Sequence, residues 1–231
     1  REGKLLHRYR NVESGLQANI DDYTFLIAAL LDLYEVTFNN EYLKNAILLS
    51  DEFIKHFRDD SNGGYFFTPD DAEKLIIRSK ELYDGAVPSG NSIAMLNMIR
   101  LAKITGSSIY ENEALQTVNV FSRNIYSTPA AYTQALSSLD FIYGPSYEIV
   151  ICGERENDET KEMIKTLNKN FIPNKVVILN SADNDVVKTI APFVNNKKQI
   201  QNKSTAYVCV NNTCKPPVNT NKEFEKLLNK I

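Results

Sequence analysis

Two short stretches of this sequence gather more polar chemistry than a helix start requires. One, NIDDY, sets Asp21 and Asp22 side by side ahead of Tyr23. The other, ELYDGAVPSGN, holds Glu81, Tyr83, Asp84, Ser89 and Asn91. Paired carboxylates are equipment for acid–base work, one group protonated to donate and one ionised to accept. Glycoside hydrolysis uses two of them roughly 5–10 Å apart across the scissile bond, and Asp21 or Asp22 with Asp84 or Glu81 supplies such a pair. His7 and Arg8 stand just upstream, in LLHRYRN. A histidine titrates near neutrality and can carry a proton, which suits an epimerisation that needs a base and an acid on opposite faces of a sugar. The candidate catalytic residues are therefore Asp21, Asp22, Asp84 and His7. Arg8, Tyr23, Glu81, Tyr83, Ser89 and Asn91 are the candidates for holding a ligand, with Tyr9, Tyr23, Tyr65, Phe66 and Tyr83 as possible stacking surfaces.

Each of these residues also has a plain structural reading. Asp21, Asp22 and Asn91 suit helix N-caps, Gly85 and Gly90 supply unusual backbone angles, and Pro88 stiffens the approach to a helix. His7 on a strand surface and aromatics in a core are ordinary. A cap needs one polar residue per helix, however, and both stretches hold several. His56, late in a helical segment, is explained by a favourable interaction with the helix dipole.

The elements that must position these residues fall into two halves. From about Tyr23 to Tyr143 the rhythm is helical. DDYTFLIAALLDLYEVTF spaces Phe25, Leu26, Ala29, Leu30, Leu33 and Tyr34 by three and four, with Asp21 or Asp22 as cap. EYLKNAILLSDEFIKHF repeats the pattern, and a loop turning at Gly63–Gly64 follows, with a short strand near 65–67. A shift of 68 residues then superimposes Leu33 on Leu101, Thr37 on Thr105, Tyr42 on Tyr110, Ala46 on Ala114 and Phe53 on Phe121. One register held over two helices indicates an array of helical hairpins. The same register aligns Asp21, Asp22 and Tyr23 with Ser89, Gly90 and Asn91, so both polar clusters fall at equivalent N-terminal helix ends. In a circular array those ends face one common pocket, where free N–H groups and the dipole favour a hydroxyl-rich or anionic ligand. AAYTQALSSLDFIY begins a third hairpin.

Near Gly144–Pro145 the rhythm changes. SYEIVICG, NKVVILN and TAYVCV read as strands, and NDETKEMIKTLNKNF, NDVVKTIAPFV and NKEFEKLLNKI as helices. The expected fold is mainly α, with a helical domain over 1–145 and a small α/β subdomain over 146–231. Cys209 and Cys214 flank VNNT and would oppose one another across an Asn211–Asn212 turn, where a disulfide or redox role is conceivable. They form no CxxC motif and cannot complete a zinc site. Cys152 reads as buried packing. ICGERENDE has one glycine where a dinucleotide fingerprint needs three. No cofactor and no metal are expected.

Composition bounds the rest. Apolar residues make up 43% and charged residues 24%, enough for a packed core in an ordinary soluble protein. A net charge of −3 argues against nucleic acid as a partner. No run is long and apolar enough to span a bilayer, and REGKLLHRYRN is no signal peptide. Three cysteines are too few for a disulfide scaffold and suit a cytoplasmic setting, where the sequons at Asn202 and Asn211 carry no meaning. The chain opens without methionine, inside what reads as structure, so a fragment of a longer protein is expected.

LLHRYRNVESGLQANIDDYTFLIAALLDLYE, NGGYFFTPDDAEKLIIRSKELYDGAVPSGNSIAMLNMIRLAKITG and TAYVCVNNTCKPPV together resemble the YyaL-like family, which includes the spermatogenesis-associated thioredoxin-domain proteins. YDGAVPSGNS and DDYTFLI are its most specific segments here, and the resemblance covers essentially the whole chain. It implies an (α/α)6 toroid similar to the six-hairpin glycosidases and N-acylglucosamine 2-epimerases, of which this chain holds a part. It also implies a thioredoxin-like domain that lies outside this chain. SGLQAN stands where the family leads one to expect a Leu-Pro-Gly-like turn. Two functions follow as expectations: a carbohydrate-binding or carbohydrate-processing site, or a non-catalytic platform working with the thioredoxin-like domain. A third reading leaves the clusters as caps alone. A partial ring would expose apolar flanks and either self-associate or be poorly stable alone.

Overall fold

A computed structural model describes residues 4–210 and 213–231. The expected Asn211–Asn212 turn and the Asn211 sequon lie outside them. The described residues form eight α-helices and two small sheets, mainly α with an α/β part. The chain divides into two compact units, one running to Ala102 and including Ser107–Ile142, the other made of Lys103–Gly106 and Tyr143–Ile231.

The first unit opens with a β-hairpin. β1 (Leu6–Arg10) pairs antiparallel with β2 (Glu13–Gln17), turning through Asn11 and Val12 at positive φ. α1 (Ile20–Thr37) then starts at a capping box. The Asn19 side chain accepts from the Asp21 and Asp22 N–H groups, and the Asp22 carboxylate accepts from the Asn19 N–H at 2.8 Å. The cap is thus Asn19 rather than Asp21 or Asp22. Phe38, left-handed at φ 54°, ends α1, and Asn39 caps α2 (Asn40–Phe57). α3 (Gly90–Thr105) and α4 (Ser108–Ser127) form the next pair, and α5 (Thr133–Tyr143) follows a 3-10 turn at Pro129–Ala131. The repeat holds at the element ends: Thr37 and Thr105 close the first helix of each pair, and Asn40 and Ser108 open the second.

The buried stripe of α1 is Ile20, Tyr23, Thr24, Ile27, Leu31 and Tyr34. This differs from the expected set: Leu26 and Leu33 are 36% and 44% exposed. α1 is apolar on nearly every side, so spacing alone does not say which side faces the core. Tyr23 packs on Phe53 and Phe57, and Phe53 on Tyr65, with ring centroids 4.4–6.4 Å apart. Burying rings of this size contributes roughly 1.5–3 kcal/mol each. A second cluster joins Leu82, Met95, Val118, Phe121, Ile125 and Ala135. Gly63 and Gly64 make the predicted turn at φ 78° and 70°. The strand expected at 65–67 is only a single bridge, Arg58 to Tyr65. The remaining hydrogen bonds of that segment go elsewhere: Asn91 takes both backbone groups of Tyr65.

The second unit alternates as expected: β3 (Tyr147–Cys152), α6 (Asp158–Asn168), β4 (Lys175–Asn180), α7 (Asp185–Ile190), β5 (Thr205–Val210), β6 (Thr213–Cys214) and α8 (Asn221–Leu228). The sheet order is β4-β3-β5-β6. β3 and β4 are parallel, joined by the α6 crossover, whereas β5 is antiparallel to β3. β3 and β4 are buried along nearly their whole length, which is why they read as unbroken apolar runs. Cys209 and Cys214 sit opposite one another on β5 and β6 and are joined by a disulfide. Cys152 is free and buried.

Candidate functional site

The two polar clusters meet where α1 and α3 begin. Asp21, in the first turn of α1, accepts a hydrogen bond from the Gly90 N–H. Gly90 permits this approach. A Cβ there would lie 2.7 Å from Asp21 Oδ1 and from two carbons of Ile20. α3 therefore takes one N-terminal acceptor from the neighbouring helix and another from its own Ser89, whose Oγ accepts from the Ser92 N–H at 3.2 Å.

Beyond this junction the residues separate into a closed group and an open one. Asp84 is 9% exposed. Its Oδ1 accepts from the Ser89 N–H at 2.9 Å, and its Oδ2 from the N–H groups of Gln134 and Ala135 at 2.9 and 3.1 Å. It thus caps α5 and fastens the approach to α3, with three of its roughly four acceptor sites occupied. Asn91 is 1% exposed. Its Oδ1 accepts from the Tyr65 N–H, and its Nδ2 donates to the carbonyls of Tyr65 and Glu81, all at 2.9 Å. Ser89 Oγ also donates to Ser92 Oγ. These residues, expected in acid–base or ligand-holding roles, spend their polar atoms on the fold. Tyr23 is core, its hydroxyl accepting from the Leu5 N–H at 3.3 Å.

The open group is His7, Asp21, Asp22 and Glu81. His7 Nδ1 lies 2.9 Å from both carboxylate oxygens of Asp22, with side chains 48% and 22% exposed. With Nδ1–H donated to Asp22, neutral His7 keeps a lone pair on Nε2, which is the orienting relation of a general base. Asp21 is half-buried, and its pKa is raised: burial acts first, then the charges of Asp22 and Glu81, against the Gly90 bond. Burial and the two neighbouring carboxylates thus both work against ionisation of Asp21. Arg8 and Tyr83 are exposed, Tyr83 to 67%. Tyr9 is likewise exposed, whereas Tyr65 is wholly buried and Phe66 lies under Arg78 at 4.2 Å.

A third group escaped sequence reading. His56 Nδ1 is 2.7 Å from Asp70 Oδ1 and 3.6 Å from Asp71 Oδ2, and its Nε2 is 3.5 Å from Glu52 Oε2. The ligating atoms of His56, Asp70 and Asp71 lie within 4.8 Å of one another, as a metal site requires. Lys4 Nζ already bonds Asp71, as does Gln17 at 2.7 Å, so the cluster carries its own cation. Glu52 and His56 share i, i+4 spacing, the one signal visible in the sequence. The loop is tied to them by the Asp70 N–H, which bonds the His56 carbonyl, and by Arg78, which bonds the carbonyls of both His56 and Thr68.

No family model matches the chain. The chain is similar to spermatogenesis-associated protein 20 of Homo sapiens, 33% identical over 211 residues, and to that of Rattus norvegicus, 32% identical over 211 residues. Each match covers 90% of this chain and 27% of the relative. An uncharacterized protein of Caenorhabditis elegans is 31% identical over 224 residues, covering 95% of the chain and 30% of that protein. The chain therefore spans between a quarter and a third of these relatives' length. The name of the human and rat relatives agrees with the resemblance carried by YDGAVPSGNS and DDYTFLI. No helix among the described residues is long and apolar enough to cross a membrane.

Proposed function

We propose that His7, Asp21, Asp22 and Glu81 form an acid–base rim that acts on a hydroxyl-rich, sugar-like ligand. The observation that carries this reading is the half-buried Asp21, its pKa raised between two carboxylates, next to a histidine oriented by one of them. Asp21 is the proton donor, and His7, held through Nδ1 by Asp22, is the base at Nε2. Arg8 and Tyr83, both exposed, supply ligand contacts. Asp84, Ser89 and Asn91 hold the helix starts beneath the rim. The two hairpins and α5 are taken as part of an (α/α)6 ring completed by the rest of a longer protein that also carries a thioredoxin-like domain. On this view the helical domain ends at residue 145.

The test uses that longer protein with a panel of free and linked sugars. Asp21→Asn and His7→Gln are each expected to reduce turnover by about 100-fold or more, with circular dichroism unchanged. Turnover that survives both substitutions, or no binding of any sugar, overturns the reading. Unchanged turnover with weakened partner binding would instead favour a non-catalytic platform.

A further inference from the structure

The α/β unit holds a crevice that the rim does not use. β3 and β4 run parallel and end opposite one another at Cys152 and Asn180, while the other neighbour of β3 runs antiparallel. In open α/β sheets ligands bind outside the carboxyl ends of the parallel strands. A cavity of about 460 Å³ lies there. This is within the range of small-molecule sites and far larger than a bare oxyanion needs. Cys152, Asn180 and Ser181 line it from the strand ends, with Lys188, Lys197 and Lys198 from the segments that follow; among the described residues no acidic side chain lines it, though Glu154 accepts from the N–H of the lining Ala182 at 3.0 Å.

Two observations define what would fill it. The first is charge. Lys188 bonds Asp185 at 3.1 Å, and Lys197 Nζ lies 5.3 and 5.8 Å from the ring centres of Phe193 and Tyr207. Among the described residues, neither Lys197 nor Lys198 has a carboxylate within ion-pair distance. The second is an orphaned acceptor. Asn180 is 9% exposed, and its Nδ2 donates to the carbonyls of Val194 and Lys197 at 3.1 and 3.0 Å, which fixes the amide. Its Oδ1 is buried with no hydrogen-bond partner. A buried carbonyl left unpaired is costly and calls for a donor.

We propose that this crevice binds a small anionic metabolite that carries a hydroxyl or amide donor beside a phosphate or carboxylate group. The anion faces Lys197 and Lys198, and the donor serves Asn180 Oδ1 once a turn of that side chain opens the buried oxygen to the crevice. Binding is non-covalent, since burial pushes the Cys152 thiol up to about 11 and leaves it protonated at neutral pH. The proposal does not depend on the rim's chemistry, so failure of either leaves the other standing.

The experiment titrates glucose 6-phosphate, gluconate, glucose and inorganic phosphate into the full 231-residue chain, read by amide chemical shifts and calorimetry. Glucose 6-phosphate or gluconate is expected to shift the amides of Cys152, Asn180 and Ser181, with a Kd below ~1 mM and about tenfold tighter than glucose or phosphate alone. The better of the two identifies the anionic group. Lys197→Met and Lys198→Met should each weaken binding about fivefold, and raising the salt concentration should weaken it in the unaltered chain, a readout that does not depend on how the variants fold. The proposal is overturned by unmoved amides at ~10 mM of both anionic probes, by phosphate alone binding as tightly as the larger probes, or by binding that survives the double lysine substitution.

Discussion

Asp84, Ser89 and Asn91 on one side, and His7, Asp21, Asp22 and Glu81 on the other, are built from similar residue types beside the same pair of helix starts. They differ in what their polar atoms already touch. The Asp84 carboxylate takes three backbone N–H groups, and Asn91 completes three bonds to two segments of chain. The rim carboxylates each take one backbone N–H, Asp22 from Asn19 and Asp21 from Gly90, and otherwise face titratable groups, with His7 against Asp22, and Asp21 between the charges of Asp22 and Glu81. A saturated polar residue holds a fold, whereas one whose partners are other titratable groups is available for chemistry. Capping and function are therefore not rival readings of one cluster. Under the proposed function one residue serves both, since Asp22 closes the α1 capping box and also orients His7.

Substitutions should separate the two groups by stability. Asp84→Ala leaves three N–H groups without their acceptor and is expected to cost about 3–5 kcal/mol in denaturant unfolding. A loss below about 1 kcal/mol would mean that the closed group is not structural. Asp59, buried and bonded to Lys80 at 2.7 Å, comes next. Its native pKa is held well below the unfolded value, chiefly by the Lys80 bond acting against burial. That stabilisation is complete above the unfolded value, about 3.9, and is lost as the pH falls through the native one. Asp59→Asn should cost roughly 2–4 kcal/mol at neutral pH and flatten the acid limb of the stability–pH curve. Gly90→Ala drives a methyl group toward Asp21 and Ile20 and should cost about 1–3 kcal/mol, visible as a lowered Tm.

Rim substitutions should behave in the opposite way. The native pKa of Asp21 is raised, so its protonated form is favoured and stability declines as the pH rises through that pKa. Asp21→Asn keeps an acceptor for Gly90 and removes the charge. It should leave stability at neutral pH unchanged or raised by up to ~1 kcal/mol. A clear loss there would move Asp21 into the closed group. His7→Gln, at an exposed pair, should change stability by less than about 0.5 kcal/mol in the same assay.

Much of the fold was legible. Helices and strands followed from period and caps, and the 68-residue register found the ends of both hairpins. The site was legible only by residue type. Nothing near Asp84 announces that Gln134 and Ala135 will present their N–H groups to it from fifty residues away. The partner of Asn91, Tyr65, lies in a loop whose path the sequence does not specify. Helix starts could be located because capping is local, but saturation is a tertiary property. The same limit hid the His56 cluster, which forms only when its loop returns, and the orphaned Asn180 carbonyl.

The last strand of the α/β sheet has one further consequence. β6 is two residues long and is tied covalently to β5 through Cys209 and Cys214. A sheet margin with free backbone groups invites a strand from another molecule to add on. Here the clip keeps a short flap seated over part of the longer strand beside it. Breaking it with a reductant would bare more of that margin, and clumping in reducing buffer, absent under air, would be its signature.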